Sequence, residues 1–397
     1  MDQLYMRRCL QLAANGRQNA KPNPMVGAVI VAADGRIIGE GYHVRCGEGH
    51  AEVNAFASVR PEDEALLAGA TIYVSLEPCS HYGKTPPCAD LIIKKGVRRC
   101  VVGCVDPFAA VQGRGIQKLR NAGIEVTVGV LEKECRELNR RFITFNEKRR
   151  PYIILKWAQT ANAFLDDNGK ACAISTPFTK MLVHKLRAEN DAILVGRITD
   201  EREQPRLDVR HWAGKSPRRI VIDHNRPAFE GLDFSKPVIP QLLEWLHQEK
   251  CQSLIVEGGA CTLRSFIEAD AWDEIRVETA PFCVSGGTAA PTLPDDVRLV
   301  RHEVYDHNII TCLIGHNGTG KSTLLRTIAH LQPALDGSVF IGPDDITMLR
   351  PSRLSRIISI VLTSRPDARN MTVEELVALG RTPYTGFWGR LSSNDRL

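Results

Sequence analysis

The sequence predicts an α/β protein of mostly parallel sheets, and three observations predict it. Short apolar, β-branched runs alternate with amphipathic stretches of about ten residues. This alternation occurs twice, on either side of the basic stretch that ends at Pro151. A glycine-rich loop, "LIGHNGTGKST", then follows an apolar run at 313–323 and opens a helical pattern. The chain has 397 residues, which suits two or three domains.

The first series opens with a helix over 2–16. "VGAVIVAADGRIIGEGYH" reads as two strands around an Asp-Gly turn, a hairpin signal. "HAEVNAFASV" is helical, "ATIYVSLEPC" a strand that runs into a loop, "CADLIIKKGV" a helix, "RRCVVGCVD" a strand, "GIQKLRNAG" a helix and "IEVTVGV" a strand. These elements predict a three-layer α/β/α domain over 1–147. "LEKECRELNRRFITFNEKRRP" reads as one helix whose basic end is a linker. In the second series the strands are "YIILKWAQ", "DAILVG", "RRIVID", "SLIVEGG" and "EIRVETAP"; the helices are "TPFTKMLVHKLRAEN", "IPQLLEWLHQEK" and "CTLRSFIEA". They predict a second α/β domain over 151–310. The strand "IITCLIG" and the helix "KSTLLRTIAHL" frame the phosphate loop of a third region, 312–397.

A net charge of +5 with 6% aromatic residues argues against nucleic acid as a partner, which calls for a basic face with stacking aromatics. No apolar run is long enough to span a membrane, and the N-terminus lacks the apolar core of a signal peptide. The twelve cysteines follow no framework pattern. A cytoplasmic location with reduced thiols is expected, so buried or metal-binding cysteines are better readings than disulfides.

His50 and Glu52 open a helix, and Cys79 and Cys88 flank a proline-rich loop. One imidazole and two thiolates make a zinc set with a fourth position open to water. Zinc brings that water toward a pKa of about 7. Glu52 is the expected catalytic acid/base, taking a proton and delivering it to a leaving amine. Nucleobase deaminases combine His-x-Glu with Pro-Cys…Cys in this way, though their commonest form separates the cysteines by two residues, not eight.

With "PNPMVGAVIV", "GYHVRCGEGHAE", "EPCSHYGKTPPC", "DPFAAVQGRG" and "AGIEV", residues 1–147 resemble the bifunctional riboflavin biosynthesis deaminase–reductases, whose first half is cytidine-deaminase-like in fold. The resemblance implies a small-molecule substrate, a pyrimidine carrying a ribosylamino phosphate. It also implies that Asn23, His43 and Lys84 contact that substrate; the ammonium of Lys84 suits a phosphate. The chain departs from the family at Phe108-Ala109-Ala110, with no loss of deamination expected. Residues 151–310 resemble the reductase half, dihydrofolate-reductase-like in fold, through "PYIILKWAQ", "LRAENDAILVGRIT", "QPRLDVR", "RRIVID" and "SLIVEGGACTLRSF". The resemblance implies NADPH held by Thr199 and by Gly258 and Gly259 in the 258–264 loop, where glycines at a helix N-terminus let backbone approach a pyrophosphate. It implies substrate held by Arg187, Leu207, Arg210 and Glu257, and a homo-oligomer, dimer or larger.

This second half departs from its family in three places. Ala161-Asn162-Ala163 stands where Asp-Gly is usual, so a charge and a permissive glycine are lost. Glu203-Gln204-Pro205 replaces Asp-Asp-Pro or Asp-Asn-Pro, and the stretch near 225–235 is short. Impaired reduction is the expectation. Gly315, Gly320, Lys321 and Ser322 fit a P-loop that cradles phosphates, with Ser322 on Mg²⁺. Residues 312–397 resemble an ATP-binding-cassette ATPase that stops before its signature and acidic strand, so ATP and Mg²⁺ binding and a transporter partner are expected to be absent or vestigial. Two other readings stand beside the bifunctional enzyme: a fusion or degraded product with deaminase activity alone, and an ATP-binding, transport-related protein.

Overall fold

The computed structural model describes residues 1–315 apart from 81, 83–85, 109–111, 227 and 295–296; beyond 315 it describes only 340–341, 344–345 and 348. Residues 1–315 form one compact unit and 316–397 a second. Of the second unit, a short antiparallel ladder of Phe340–Ile341 with Asp344–Asp345 is described.

In chain order the first half comprises α1 (Asp2–Ala14), β1 (Gly27–Val31), β2 (Ile37–Tyr42), α2 (Ala51–Ala57), β3 (Thr71–Leu76), α3 (Cys88–Lys95), β4 (Arg99–Cys104), α4 (Arg114–Asn121), β5 (Glu125–Val128), α5 (Glu132–Leu138) and α6 (Arg140–Lys148). Its sheet has the order β2-β1-β3-β4-β5. The β1–β2 hairpin is antiparallel and β3, β4 and β5 run parallel. Strand side chains alternate between faces, and both faces are apolar. Ala28, Ile30, Ile72, Val74, Cys100 and Val102 face α2, α3 and α4. Val29, Val31, Tyr73 and Val101 face Tyr5, Met6 and Cys9 of α1 and Cys135 of α5. The expected three layers are therefore present.

The single helix expected over 131–151 is two helices. It breaks at Asn139 (φ −99°, ψ 18°). The Asn139 side chain accepts from the Met25 N–H and donates to the Met25 carbonyl, both at 2.8 Å. Those bonds to another segment favour a turn over helical backbone.

The second half comprises β6 (Tyr152–Gln159), α7 (Pro177–Ala188), β7 (Ala192–Gly196), α8 (Arg197–Glu203), β8 (Arg218–Ile222), α9 (Val238–Gln248), β9 (Ser253–Val256), α10 (Ala260–Glu268), β10 (Glu274–Thr279), β11 (Val297–Tyr305) and β12 (Asn308–Gly315). The sheet order is β11-β12-β10-β6-β9-β7-β8. The strands from β10 through β8 are parallel. The helix α7 starts on a Thr176–Thr179 capping box with Pro177 at its first position, a strong N-terminal signal.

One feature differs from the expectation. The strand assigned to the phosphate loop, β12, pairs antiparallel with β10 and with β11, so it completes the second sheet; its Leu313 joins the core beside Trp272 and Ile275. β8 lies at the edge of the sheet. Phe229 stacks on Trp245 there (centroids 4.6 Å apart, rings 8° from parallel), and the exposed Arg218 and Arg219 blunt the edge, a common protection against edge-to-edge pairing.

Candidate functional site

The metal site is built where β2, α2 and α3 converge. A Cβ on Gly41 would stand 2.6 Å from the Ala51 carbonyl. Only glycine lets α2 lie this close to β2, which fixes His50 at the N-cap of α2. Cys79 follows β3, and Cys88 opens α3 after Pro87. His50 Nδ1 lies 3.5 Å from Cys79 Sγ and 3.3 Å from Cys88 Sγ, and the three donor atoms lie within 4.8 Å of one another. Ligands at zinc's bond lengths of about 2.0–2.3 Å sit roughly 3.5 Å apart in a tetrahedron. The spacing and the donor chemistry therefore fit zinc. Hydrogen bonding to Cys88, with His50 adding to the effect, lowers the pKa of the Cys79 thiol; a thiolate is the metal-binding form.

Glu52 is buried beside these ligands. Burial, reinforced by the Cys79 thiolate, pushes its carboxyl up to about 7. A carboxyl that gains and loses a proton near neutral pH suits a proton shuttle. His43 is buried, and its Nδ1 faces the Gly49 carbonyl at 3.2 Å while Nε2 faces Asn23 Nδ2 at 3.1 Å. A carbonyl only accepts, so Nδ1 carries the proton and Nε2 accepts from Asn23. Burial lowers the His43 pKa and keeps this ring neutral.

His50, Glu52 and Cys79 line a cavity of about 420 Å³ together with Asn23, His43, Glu77, Asp106 and Phe108. The structure thus gathers every residue expected at this centre except Lys84, which lies outside the described residues. Glu77 was not singled out from sequence. Its buried carboxylate accepts from the N–H groups of Gly113 and Gly115 (2.9 Å each) and of Asp106 and Ile116 (3.3 Å each). It thereby holds the segment that carries Asp106 and Phe108 and caps α4. The signal in sequence was a single acidic residue at the end of an apolar strand, shared with many surface positions. Phe142, Phe145 and Asn146 of α6 and Gln252 of the second half close the cavity.

The second site lies at the ends of β7 and β9. Arg187 Nη2 and Glu257 Oε2 form a part-buried pair at 2.8 Å. Arg187 Nε and Glu257 Oε1 are buried with no partner among the described residues, which leaves donor and acceptor capacity for a ligand. Arg187 Nη1 donates to the Asp208 carbonyl at 3.3 Å, drawing in the segment that bears Leu207 and Arg210. Leu207 is buried at φ +54°, and Arg210 pairs with Asp208. Thr199, on α8, accepts from the Gly259 N–H at 3.0 Å. A Cβ on Gly258 would stand 2.8 Å from Thr262 Cβ, a closeness only glycine allows. This bare backbone at the start of α10 fits the pyrophosphate of a dinucleotide. Of the P-loop set, Gly315 ends β12 against Trp272; Gly320, Lys321 and Ser322 lie outside the described residues.

A family model for the cytidine and deoxycytidylate deaminase zinc-binding region matches residues 1–104, one for the RibD C-terminal domain matches 151–312, and one for ABC transporters matches 303–396. The riboflavin biosynthesis protein RibD of Aquifex aeolicus is 38% identical over 321 residues, covering 72% of this chain and 89% of that protein. The Escherichia coli K12 protein of the same name is 42% identical over 331 residues, covering 70% and 88%. The crystal structure of a deaminase–reductase from Thermotoga maritima superposes with a TM-score of 0.70 at 33% identity, covering 79% of this chain and 98% of that one. RibD of Acinetobacter baumannii gives 0.69 at 30%, with the same coverages. The transporter-type match is confined to the last quarter of the chain and does not compete with these. The chain belongs to the RibD family, and it is a bifunctional riboflavin biosynthesis deaminase and reductase whose cofactors are zinc and NADPH.

Proposed function

We propose that the first half deaminates diaminohydroxyphosphoribosylaminopyrimidine and that the second half reduces 5-amino-6-(5-phosphoribosylamino)uracil, the activities named for the Thermotoga protein. The observation that carries this reading is the convergence of His50, Cys79 and Cys88 beside buried Glu52 in a cavity sized for one pyrimidine nucleotide. When bound, zinc supplies a polarised, acidified water. Glu52 holds the proton removed at the site and returns it to the departing amine. His43, with both ring nitrogens engaged, fixes the Asn23 amide, whose remaining donor and acceptor are presented to the ring. In the second half Arg187 and Arg210 supply positive charge for the substrate phosphate. Thr199, Gly258 and Gly259 hold the NADPH pyrophosphate.

No described helix is long and apolar enough to cross a membrane. Leu299, Val300 and Val304 are exposed on edge strand β11, and exposed apolar side chains on an unpaired edge support self-association. The test is one reaction with the purified chain, pyrimidine substrate and NADPH, following ammonia and NADPH together. Both signals are expected. Ammonia without NADPH loss favours the deaminase-only reading, whose specific support is Ala163 at φ +61° in place of a glycine. Absence of ammonia overturns the proposal.

A further inference from the structure

The deaminase cavity is not made by the deaminase half alone. Gln252 stands just before β9, in the reductase sheet, yet it lines the cavity that holds His50 and Glu52. Its backbone is fixed on its own side: the Gln252 N–H donates to Asp191 Oδ2 at 3.0 Å, and its carbonyl accepts from the Tyr152 N–H at 2.9 Å. Its side chain reaches across. Gln252 Nε2 donates to the Pro22 carbonyl at 2.6 Å, one residue before Asn23. Asp191 grips the same segment from the other side, because its Oδ1 accepts from Lys21 Nζ at 2.9 Å. Lys21 Nζ also donates to the Glu189 carbonyl at 2.7 Å. Asn23 in turn sets His43 through the 3.1 Å contact.

We propose that the reductase half holds the pyrimidine-binding segment of the deaminase, with Gln252 and Asp191 as positioning residues for Asn23 and His43. The inference rests on the deaminase reading above and extends it. Without the second half, the loop 21–24 loses three hydrogen bonds and the cavity loses Gln252 from its lining. Gln252 touches neither the metal ligands nor Glu52 through any hydrogen bond described, so its removal weakens substrate binding and spares the chemical step. A loss of one neutral positioning hydrogen bond is worth about 1 kcal/mol, or about fivefold in affinity.

The test is Gln252→Met in the full chain, which keeps the volume and removes the donor. The deaminase KM is expected to rise about fivefold, with kcat within about twofold and zinc content unchanged. Lys21→Met, which removes the second grip, is expected to shift KM the same way. Unchanged KM in both variants overturns the proposal. So does a fall in kcat with loss of zinc, which would make Gln252 part of the metal centre's fold. Failure of the deaminase reading itself shows separately, as a wild-type chain that releases no ammonia.

Discussion

Replacing Ala163 by glycine is expected to stabilise the protein. Ala163 is exposed, so its methyl packs against nothing that removal would cost. It sits at φ +61°, a left-handed conformation that costs an L-residue about 1–2 kcal/mol. The surroundings hold it there. Its N–H donates to the Thr160 carbonyl at 3.0 Å, and its carbonyl accepts from the Ala290 N–H at 2.9 Å. Asn162 bonds the Val284 carbonyl at 2.8 Å and accepts from the Val284 N–H at 3.2 Å. Glycine relieves the strain but enlarges the unfolded ensemble by about 0.4–1 kcal/mol. The net gain is about 0.5–1 kcal/mol. At roughly 2–4 °C per kcal/mol for a domain of this size, the thermal midpoint of the reductase half rises by about 1–4 °C. Differential scanning calorimetry of Ala163→Gly beside wild type measures it. An unchanged or lower midpoint would refute the assignment of strain to this turn.

Other outcomes follow from the two sites and the contact between the halves. Glu52→Gln keeps zinc and loses deamination by about 10²–10⁴-fold, as expected for a general acid–base group; ammonia release and metal content together check this. Cys79→Ser is expected to lose both zinc and ammonia release, and chelation of the wild-type metal to abolish ammonia release while the NADPH-linked step continues on supplied uracil intermediate. Burial raises the Glu274 carboxyl, but Arg276 and Arg140 outweigh it and bring it down to about 2. A depressed carboxylate stabilises the fold fully above its unfolded value of about 4.3. That stability drains as pH falls from there toward 2. Denaturant midpoints across this range should show the loss, and Glu274→Gln should flatten it while destabilising the protein by about 3 kcal/mol at neutral pH, since the half-buried Arg276 loses its partner and Arg140 keeps only Glu137. Glu77→Ala strands four backbone donors around α4 and is expected to cost about 2–3 kcal/mol, read from chemical unfolding.

Much of this was legible in the sequence because it depends on local pattern. The zinc centre was readable since each ligand sits at an element boundary with its own signal: a glycine-rich turn before His50, a strand end before Cys79, a proline before Cys88. The β1–β2 hairpin and the α7 cap were legible for the same reason. What escaped depends on distant partners. The break at Asn139 comes from Met25, more than a hundred residues away. β12 reads equally well as the strand before a P-loop, and only its pairing with β10 and β11 assigns it to the second sheet. Gln252 and Glu77 gain their roles from carbonyl and amide groups that no spacing rule brings near them. The cost of losing the glycine at 163 was foreseeable; that the turn keeps its left-handed backbone regardless follows from bonds to Val284 and Ala290.

The central claim is that His50, Cys79 and Cys88 hold a zinc at which Glu52 moves protons for deamination. The most direct measurement is metal analysis of purified wild-type and Glu52→Gln chains, paired with ammonia release from the pyrimidine substrate. The account expects one zinc per chain in both proteins and ammonia from the wild type alone. A wild-type chain that releases ammonia without zinc, or a Glu52→Gln chain as active as wild type, would contradict it.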